Sequence, residues 1–220
     1  MLLDAAIGPS GALTLPGVFS DTPIAATDER THAPDEDLIK RYQGGDGDAF
    51  RLLYGRYRER LYRFVLRLTF DSTEAEETFQ ETWMAVIRGR ERYRSDGRFV
   101  TYLFSIARRR AADRWRKRGA AFVEALPELE QPVQDEALIV RYGPLDSVHN
   151  AELGSALSAA IASLPLPQRE AFLLQVEGDL SVEEIARVTL TNRETVKSRL
   201  RYATQRLRKC LVEWRYPDES

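Results

Sequence analysis

Cysteine and histidine are scarce: the 220 residues hold one Cys, at position 210, and two His, at 32 and 149. Three such residues, far apart in sequence, cannot form a disulfide and leave no Cys/His zinc cage to build. No stretch approaches the roughly 18 consecutive apolar residues that a membrane span needs. The first twenty residues carry Asp4 and neither Lys nor Arg, unlike a signal peptide. These absences predict a cytoplasmic chain with no membrane partner. No Ser/His/Asp set, phosphate-cradling glycine loop or metal cluster is visible, so no catalytic residue, metal or other cofactor is expected. A global excess of one charge is missing as well, since Lys+Arg 32 against Asp+Glu 34 leaves a formal net charge of -2.

What the chain does have is enough apolar sequence for a core, 43%, beside 30% charged residues. Although the charges cancel in total, they are sorted along the chain. The cations Arg88, Arg90, Arg92, Arg94, Arg98, Arg108, Arg109, Arg110, Arg114, Arg116, Lys117 and Arg118 face only Glu91, Asp96 and Asp113. A second basic block holds Arg193, Lys197, Arg199, Arg201, Arg206, Arg208 and Lys209, with Glu194 the one acid among them. Between the blocks lie Glu124, Glu128, Glu130, Asp135, Glu136, Asp146 and Glu152, relieved only by Arg141. Two basic modules joined by an acidic segment suggest two contacts with a polyanion. Charge alone fits a pair of solvated helix faces equally well.

Residues 1–34 mix Gly, Pro, Ala, Ser and Thr without a period and are expected to form a disordered extension. From Asp35 the texture becomes helical, with helices expected over 35–43, 47–70, 73–89 and 99–118. In the second, Phe50, Leu53, Tyr57, Leu61, Phe64 and Leu68 recur at spacings of three and four and build one apolar stripe. Asp46 and Ser72 are the N-caps expected for the second and third helices. Residues 119 to about 150 contain Pro127, Pro132, Gly143 and Pro144 and read as a linker. Helices at 151–163 and 168–176 follow, and then two more, opened by the capping-box patterns Ser181 to Glu184 and Thr191 to Glu194. No strand pattern appears. The expected fold is all-α, with two small helical domains on a flexible linker.

A short capped helix, a turn and a longer basic helix make a helix-turn-helix pattern. Val196, Leu200, Ala203 and Leu207 would face inward and Arg193, Glu194, Lys197, Ser198 and Arg201 outward, where such a helix meets base edges and phosphates. Cys210 falls on the inward side as a small core residue. Upstream, cations from Arg92 to Arg118 interleave with Tyr93, Phe99, Tyr102, Phe104 and Trp115, a combination that suits single-stranded nucleic acid. For Phe99, Leu103, Ile106 and Phe104 a core position is the better expectation.

The runs Glu74 to Trp83 and Arg98 to Trp115 resemble region 2 of bacterial RNA polymerase sigma factors. Leu164 to Leu174, Leu180 to Ala186 and Glu194 to Leu200 resemble region 4, and the pairing of these two regions resembles the extracytoplasmic-function (ECF) group. The resemblance implies four segments: the extension 1–34, a region 2-like domain over 35–118, an acidic linker over 119–151 and a region 4-like domain over 152–215. It implies a specificity subunit without catalysis. Glu74, Glu76, Glu77, Gln80 and Glu81 would dock on the clamp coiled coil of the largest subunit of core RNA polymerase. Arg92, Tyr93, Arg94, Arg98, Tyr102, Arg108, Arg109, Arg110, Asp113 and Arg114 would melt and hold the minus-10 element of promoter DNA. Thr191, Asn192, Arg193, Glu194, Thr195, Lys197, Ser198 and Arg201 would read the minus-35 element as duplex. The linker would run towards the RNA exit path, and an anti-sigma factor, which often restrains this family, would cover both working faces.

Three positions depart from the family pattern. Tyr102 stands where a Trp is usual and Thr78 where an aliphatic residue is usual. Val188 to Thr191 lacks the glycine of the helix-turn-helix turn, where a residue with φ > 0 is costly without it. The rival function is a free-standing regulator that uses only the C-terminal module and keeps the N-terminal helices as a ligand or dimer domain. An all-helical enzyme is the weakest reading, with His32 and His149 most simply loop residues.

Overall fold

The computed structural model describes residues 33–94, 97–117 and 148–211. Among them every regular element is helical: α1 (Asp35–Gln43), α2 (Gly47–Thr69), α3 (Ser72–Arg88), a single 3-10 turn at Arg90–Arg92, α4 (Phe99–Lys117), α5 (Val148–Ala162), α6 (Leu166–Val176), α7 (Val182–Thr189) and α8 (Arg193–Leu211). The fold is all-α, as the periodicities predict. The extension expected over 1–34 and the linker expected over 119–151 lie largely outside the described residues; the latter's last positions belong to α5, which starts at Val148. By compactness the chain divides within α2, into residues 1–57 and 58–220.

In the first unit α1 buries Leu38, Ile39 and Tyr42, and the start of α2 buries Ala49, Phe50, Leu53 and Tyr57. The Tyr42 and Phe50 rings lie 4.9 Å apart. The turn between the helices is closed by Asp46, whose Oδ1 accepts from the amides of Asp48 and Ala49, the N-cap expected from the sequence. Hydrogen bonds from Arg41 and these amides hold the Asp46 carboxyl below its ordinary range. Asp35 accepts from Arg56 at 2.6 Å and from the Tyr57 hydroxyl.

In the second unit the rest of the α2 stripe, Leu61, Phe64 and Leu68, is buried. Phe64 meets Phe104 edge-on at 5.1 Å, and Phe99, Leu103 and Phe104 are fully enclosed, the core positions expected for them. Ile106 is only partly buried. The cap of α3 is one residue earlier than expected: Asp71, not Ser72, accepts from the Glu74 amide at 2.8 Å. A carboxylate is the stronger acceptor there and favours the positive end of the helix dipole. Thr78 is fully buried on α3, and its hydroxyl has no hydrogen-bond partner.

Among α5 to α8 the core is Ile161, Leu164, Leu173, Leu174, Leu180, Ile185, Val188, Val196, Leu200, Ala203 and Leu207. The Pro-rich corner between α5 and α6 starts the helix earlier than expected, at Leu166, because Pro167 fits a first turn, where no N–H is needed. Arg169 reaches back to the carbonyls of Ile161, Ala162 and Leu164 at 3.2, 2.6 and 2.9 Å. Burial lowers its pKa to about 10, so it remains a cation at neutral pH. Cys210 is exposed, not a core residue. It continues the inward spacing of α8, but burial ends at Leu207, beyond which no described helix covers the stripe.

Leu190, between α7 and α8, takes the left-handed conformation (φ 56, ψ 39) with 88% of its surface exposed. A leucine thus supplies the backbone geometry that glycine would give without a steric cost. Leu190→Gly is expected to raise unfolding stability by about 1 kcal/mol, since a left-handed L-residue costs roughly 1–2 kcal/mol and little burial is lost. Thr78→Val should add about 1 kcal/mol by replacing a buried, unpartnered hydroxyl with a methyl group. Urea unfolding of each variant beside wild type measures both.

Candidate nucleic-acid interface

The C-terminal candidate site is built on the α7–α8 hairpin. Ser181 Oγ accepts from the Glu184 amide at 3.2 Å while Glu184 Oε2 accepts from the Ser181 amide at 2.9 Å, a complete capping box. Burial alone would raise the Glu184 carboxyl. Hydrogen bonds from Thr101 and Ser181 and the charge of Arg98 outweigh that and hold it below its ordinary range.

At α8 the expected capping box at Thr191 is replaced by an Asn cap: Asn192 Oδ1 accepts from the Thr195 amide at 2.7 Å. Thr191 instead closes the turn, its amide donating to Ala186 O at 3.0 Å and its hydroxyl lying 2.9 Å from that of Thr189. The helix thus starts one residue later than expected, at Arg193, with Asn192 as its cap.

The expected division of α8 between core and surface holds. Val196, Leu200, Ala203 and Leu207 are buried, while Arg193, Glu194, Lys197 and Arg201 are exposed and Thr195 and Ser198 are partly buried. Thr191, Asn192, Arg193, Glu194 and Lys197 line an open groove with Glu183, Ala186 and Arg187 of α7. Arg193 pairs with Glu183, and Lys197 with Glu194 at 2.8 Å, which lowers the Glu194 pKa. Arg201 lies over the Tyr202 ring, 4.9 Å from its centre. Exposed pairs of this kind exchange readily for phosphate contacts, because each is worth little in water.

The upstream candidates scatter. Arg92, Arg94, Arg109 and Arg110 are exposed. Tyr93 is buried, packed on Tyr102 at 4.9 Å, with its hydroxyl donating to Gly97 O at 3.3 Å. Tyr102 is half-buried, and desolvation pushes its phenol up. A side chain at position 89 would come within 2.9 Å of the Tyr102 oxygen, so Gly89 makes room for this aromatic cluster. Arg98 donates to Asp179 O at 3.0 Å and to Glu184, and Arg108 donates to Glu170 at 2.6 Å. Burial pushes the Glu170 carboxyl up, with Arg108 and Arg199 opposing it. Asp113 pairs with Arg116.

On α3, Glu76, Glu77 and Glu81 are exposed and Glu74 and Gln80 partly so, which gives one acidic face at spacings of three and four. Arg114 joins this face to α4, donating to Glu77 and, at 2.6 Å, to Glu81. Two candidate sets read separately from the sequence therefore share an ion-pair network. Sequence reasoning missed Arg60, Arg63 and Arg67 of α2, which converge on Glu177. Their spacing of three and four was the available signal.

Residues 53–121 match the family model for sigma-70 region 2, and residues 155–207 match that for sigma-70, region 4. The ECF RNA polymerase sigma factor SigE of Mycolicibacterium smegmatis is 35% identical over 162 residues, which cover 73% of this chain and 61% of that protein. SigK of Mycobacterium bovis, another ECF sigma factor, is 30% identical over 185 residues, covering 79% of this chain and 91% of SigK. The chain belongs to the ECF RNA polymerase sigma factors.

A sigma factor acts in transcription initiation as a non-catalytic specificity subunit, so the enzyme reading falls. The free-standing regulator falls too, because the helices it would keep as a ligand domain match sigma region 2. A solved complex of the sigma factor RpoE with the anti-sigma factor NepR from Bartonella quintana shares the sigma factor's fold. Its TM-score is 0.56 at 25% identity, covering 76% of this chain and 98% of that one. Among the described residues no helix is long and apolar enough to cross a membrane.

Asn192 has two duties in this sigma factor if it both caps α8 and faces the groove. Asn192→Ala is expected to cost about 1 kcal/mol of stability and Asn192→Asp to retain the cap. Thermal unfolding in the absence of DNA isolates the capping part.

Proposed function

We propose that this sigma factor works through three surfaces. The turn before α8 and its first helical turns, from Thr191 to Arg201, enter the major groove of the minus-35 element. Arg193, Lys197 and Arg201 are placed to meet guanine edges or phosphates, and Glu194 to accept from cytosine. The buried stripe of Val196, Leu200, Ala203 and Leu207 supports this reading most directly, since it leaves the face with Arg193, Lys197 and Arg201 exposed.

The turn after α3 and the exposed side of α4 open the minus-10 element. Unstacking and flipping a base costs a few kcal/mol, which aromatic stacking and phosphate contacts offset. Arg92, Arg94, Arg109 and Arg110 are exposed for the phosphates. Tyr93 and Tyr102 lie edge to face as the aromatic platform, and their burial means a base would reach Tyr102 before Tyr93.

The acidic face of α3 docks on the clamp coiled coil of core polymerase. Fixed negative charges on one helix side provide complementarity and a fast encounter. In this reading residues 35–118 and 152–215 are the two working domains and 119–151 the acidic linker. By analogy with the RpoE–NepR complex, an anti-sigma factor is the restraining partner.

Pull-down with core polymerase tests the reading. Wild type should be retained, and Glu76→Lys/Glu77→Lys should lose at least tenfold in affinity, a change of about 1.4 kcal/mol or more, together with promoter-specific transcription. Unchanged retention of the folded double mutant would refute the docking face.

A further inference from the structure

Three glutamates, on α6, just after it and on α7, are almost fully buried: Glu170 at 4%, Glu177 at 3% and Glu184 at 6% exposure. A buried carboxylate is costly without a cation and further hydrogen bonds. Each of these finds its cations far away in sequence. Glu177 accepts from Arg63 Nε at 3.1 Å and Arg67 Nη1 at 2.7 Å, and its carbonyl accepts from Arg60 Nε at 2.7 Å. Glu170 accepts from Arg108 Nε at 2.6 Å. Glu184 accepts from the Thr101 hydroxyl at 2.6 Å and from Arg98 at 3.4 Å, while Arg98 also meets Asp179.

A cation–π contact and a close backbone approach continue the same seam. The Arg169 guanidinium lies 4.4 Å from the centre of the Phe70 ring. Gly178 sits so close to Phe104 that an added Cβ would lie 3.4 Å from the ring.

We infer that Arg60, Arg63 and Arg67 of α2 form, with Arg98 and Arg108 of α4, one phosphate-binding surface for promoter DNA, and that Glu170, Glu177 and Glu184 occupy it in the chain alone, closing it to nucleic acid. The inference rests on the reading that α4 contacts promoter DNA and extends that surface to α2. Planar carboxylate and tetrahedral phosphate each offer a guanidinium two anionic oxygens for paired hydrogen bonds, so one can stand in for the other. The pairs are also suited to release. Desolvation offsets most of the attraction within a buried pair, and on opening both partners regain water or meet the polyanion. The four facing acids, Glu170, Glu177, Asp179 and Glu184, move away with the covering segment on opening, which leaves the five arginine charges unopposed by them.

The test uses the full chain with Glu170→Gln/Glu177→Gln/Glu184→Gln, a change that removes the charges and keeps the side-chain volumes; Gln at 184 also retains the capping box. Spin labels at Thr73→Cys and Gln205→Cys, in a Cys210→Ser background, report the distance across the seam. Fluorescence anisotropy with a 30-base single-stranded DNA of mixed sequence, at one salt concentration, reports affinity.

The expected result is a longer label distance and a Kd at least tenfold lower. The apparent affinity of an occluded site is reduced by its open fraction, so tenfold corresponds to a chain about nine-tenths closed. Adding Arg60→Ala/Arg63→Ala/Arg67→Ala to the opened variant should cancel the gain. Arg63→Glu should also open the chain, and Arg63→Glu/Glu177→Arg should close it again; this swap guards against a glutamine variant that merely misfolds, which circular dichroism would register.

A longer distance with unchanged Kd would overturn the inference, as would a gain that survives loss of the α2 arginines, or an unchanged distance in both the glutamine and Arg63→Glu variants. Promoter opening by Arg109→Ala/Arg110→Ala with core polymerase is measured alongside. If that variant is defective while the glutamine variant shows no gain, the minus-10 reading stands and only the latch falls.

Discussion

An ionised carboxylate can be enclosed in a protein only where cations and hydrogen-bond donors follow it inside. That constraint governs the arrangement of the second unit. Glu170 on α6, Glu177 after it and Glu184 on α7 are almost fully buried, and their partners tie α2 and α4 to those helices. It also sorts the arginines. Two that answer a buried acid, Arg67 and Arg108, are themselves withdrawn from solvent, with 28% and 16% of the side chain exposed, whereas Arg98 reaches Glu184 from the surface with 49% exposed. Arg109 and Arg110, adjacent on α4, stay on the surface. Neighbouring cations in one basic run thus have different electrostatic duties, which a count of charges does not reveal.

Local structure was largely legible in the sequence. The stripe from Phe50 to Leu68 on α2 and that from Val196 to Leu207 on α8 are buried as their spacing predicts, because a 3.6-residue period leaves one face for the core. Asp46 and Ser181 cap where expected, and Asp71 and Asn192 replace their immediate neighbours because a side-chain oxygen must reach an amide two or three residues on. Cys210 shows the limit of periodicity, which says which way a residue points and not whether anything lies there.

What the sequence did not reveal was pairing across distance. Arg67 and Glu177 are 110 positions apart, and Arg108 and Glu170 are 62 apart. Within the candidate sites, Arg114 was read with the DNA-facing residues and Glu77 and Glu81 with the polymerase-facing ones. Their contact follows from the packing of α3 on α4, which no local pattern encodes. The family resemblance carried the assignment of roles, and the geometry then distinguished accessible residues from enclosed ones. Tyr93 is the instructive case, an aromatic among cations that spends its face on Tyr102 and Phe99.

The corner between α5 and α6 shows how a side chain can take over a task the backbone has lost. Prolines at 165 and 167 have no N–H to offer the carbonyls at the end of α5, and Arg169 supplies the missing donors from the following helix. One planar group answering three acceptors works as a gusset, bracing two members at a fixed angle. Lysine, a single point of charge on a flexible stem, could not brace the same joint. A stretch whose composition suggests slack is therefore stiff, and its stiffness resides in one residue beyond it.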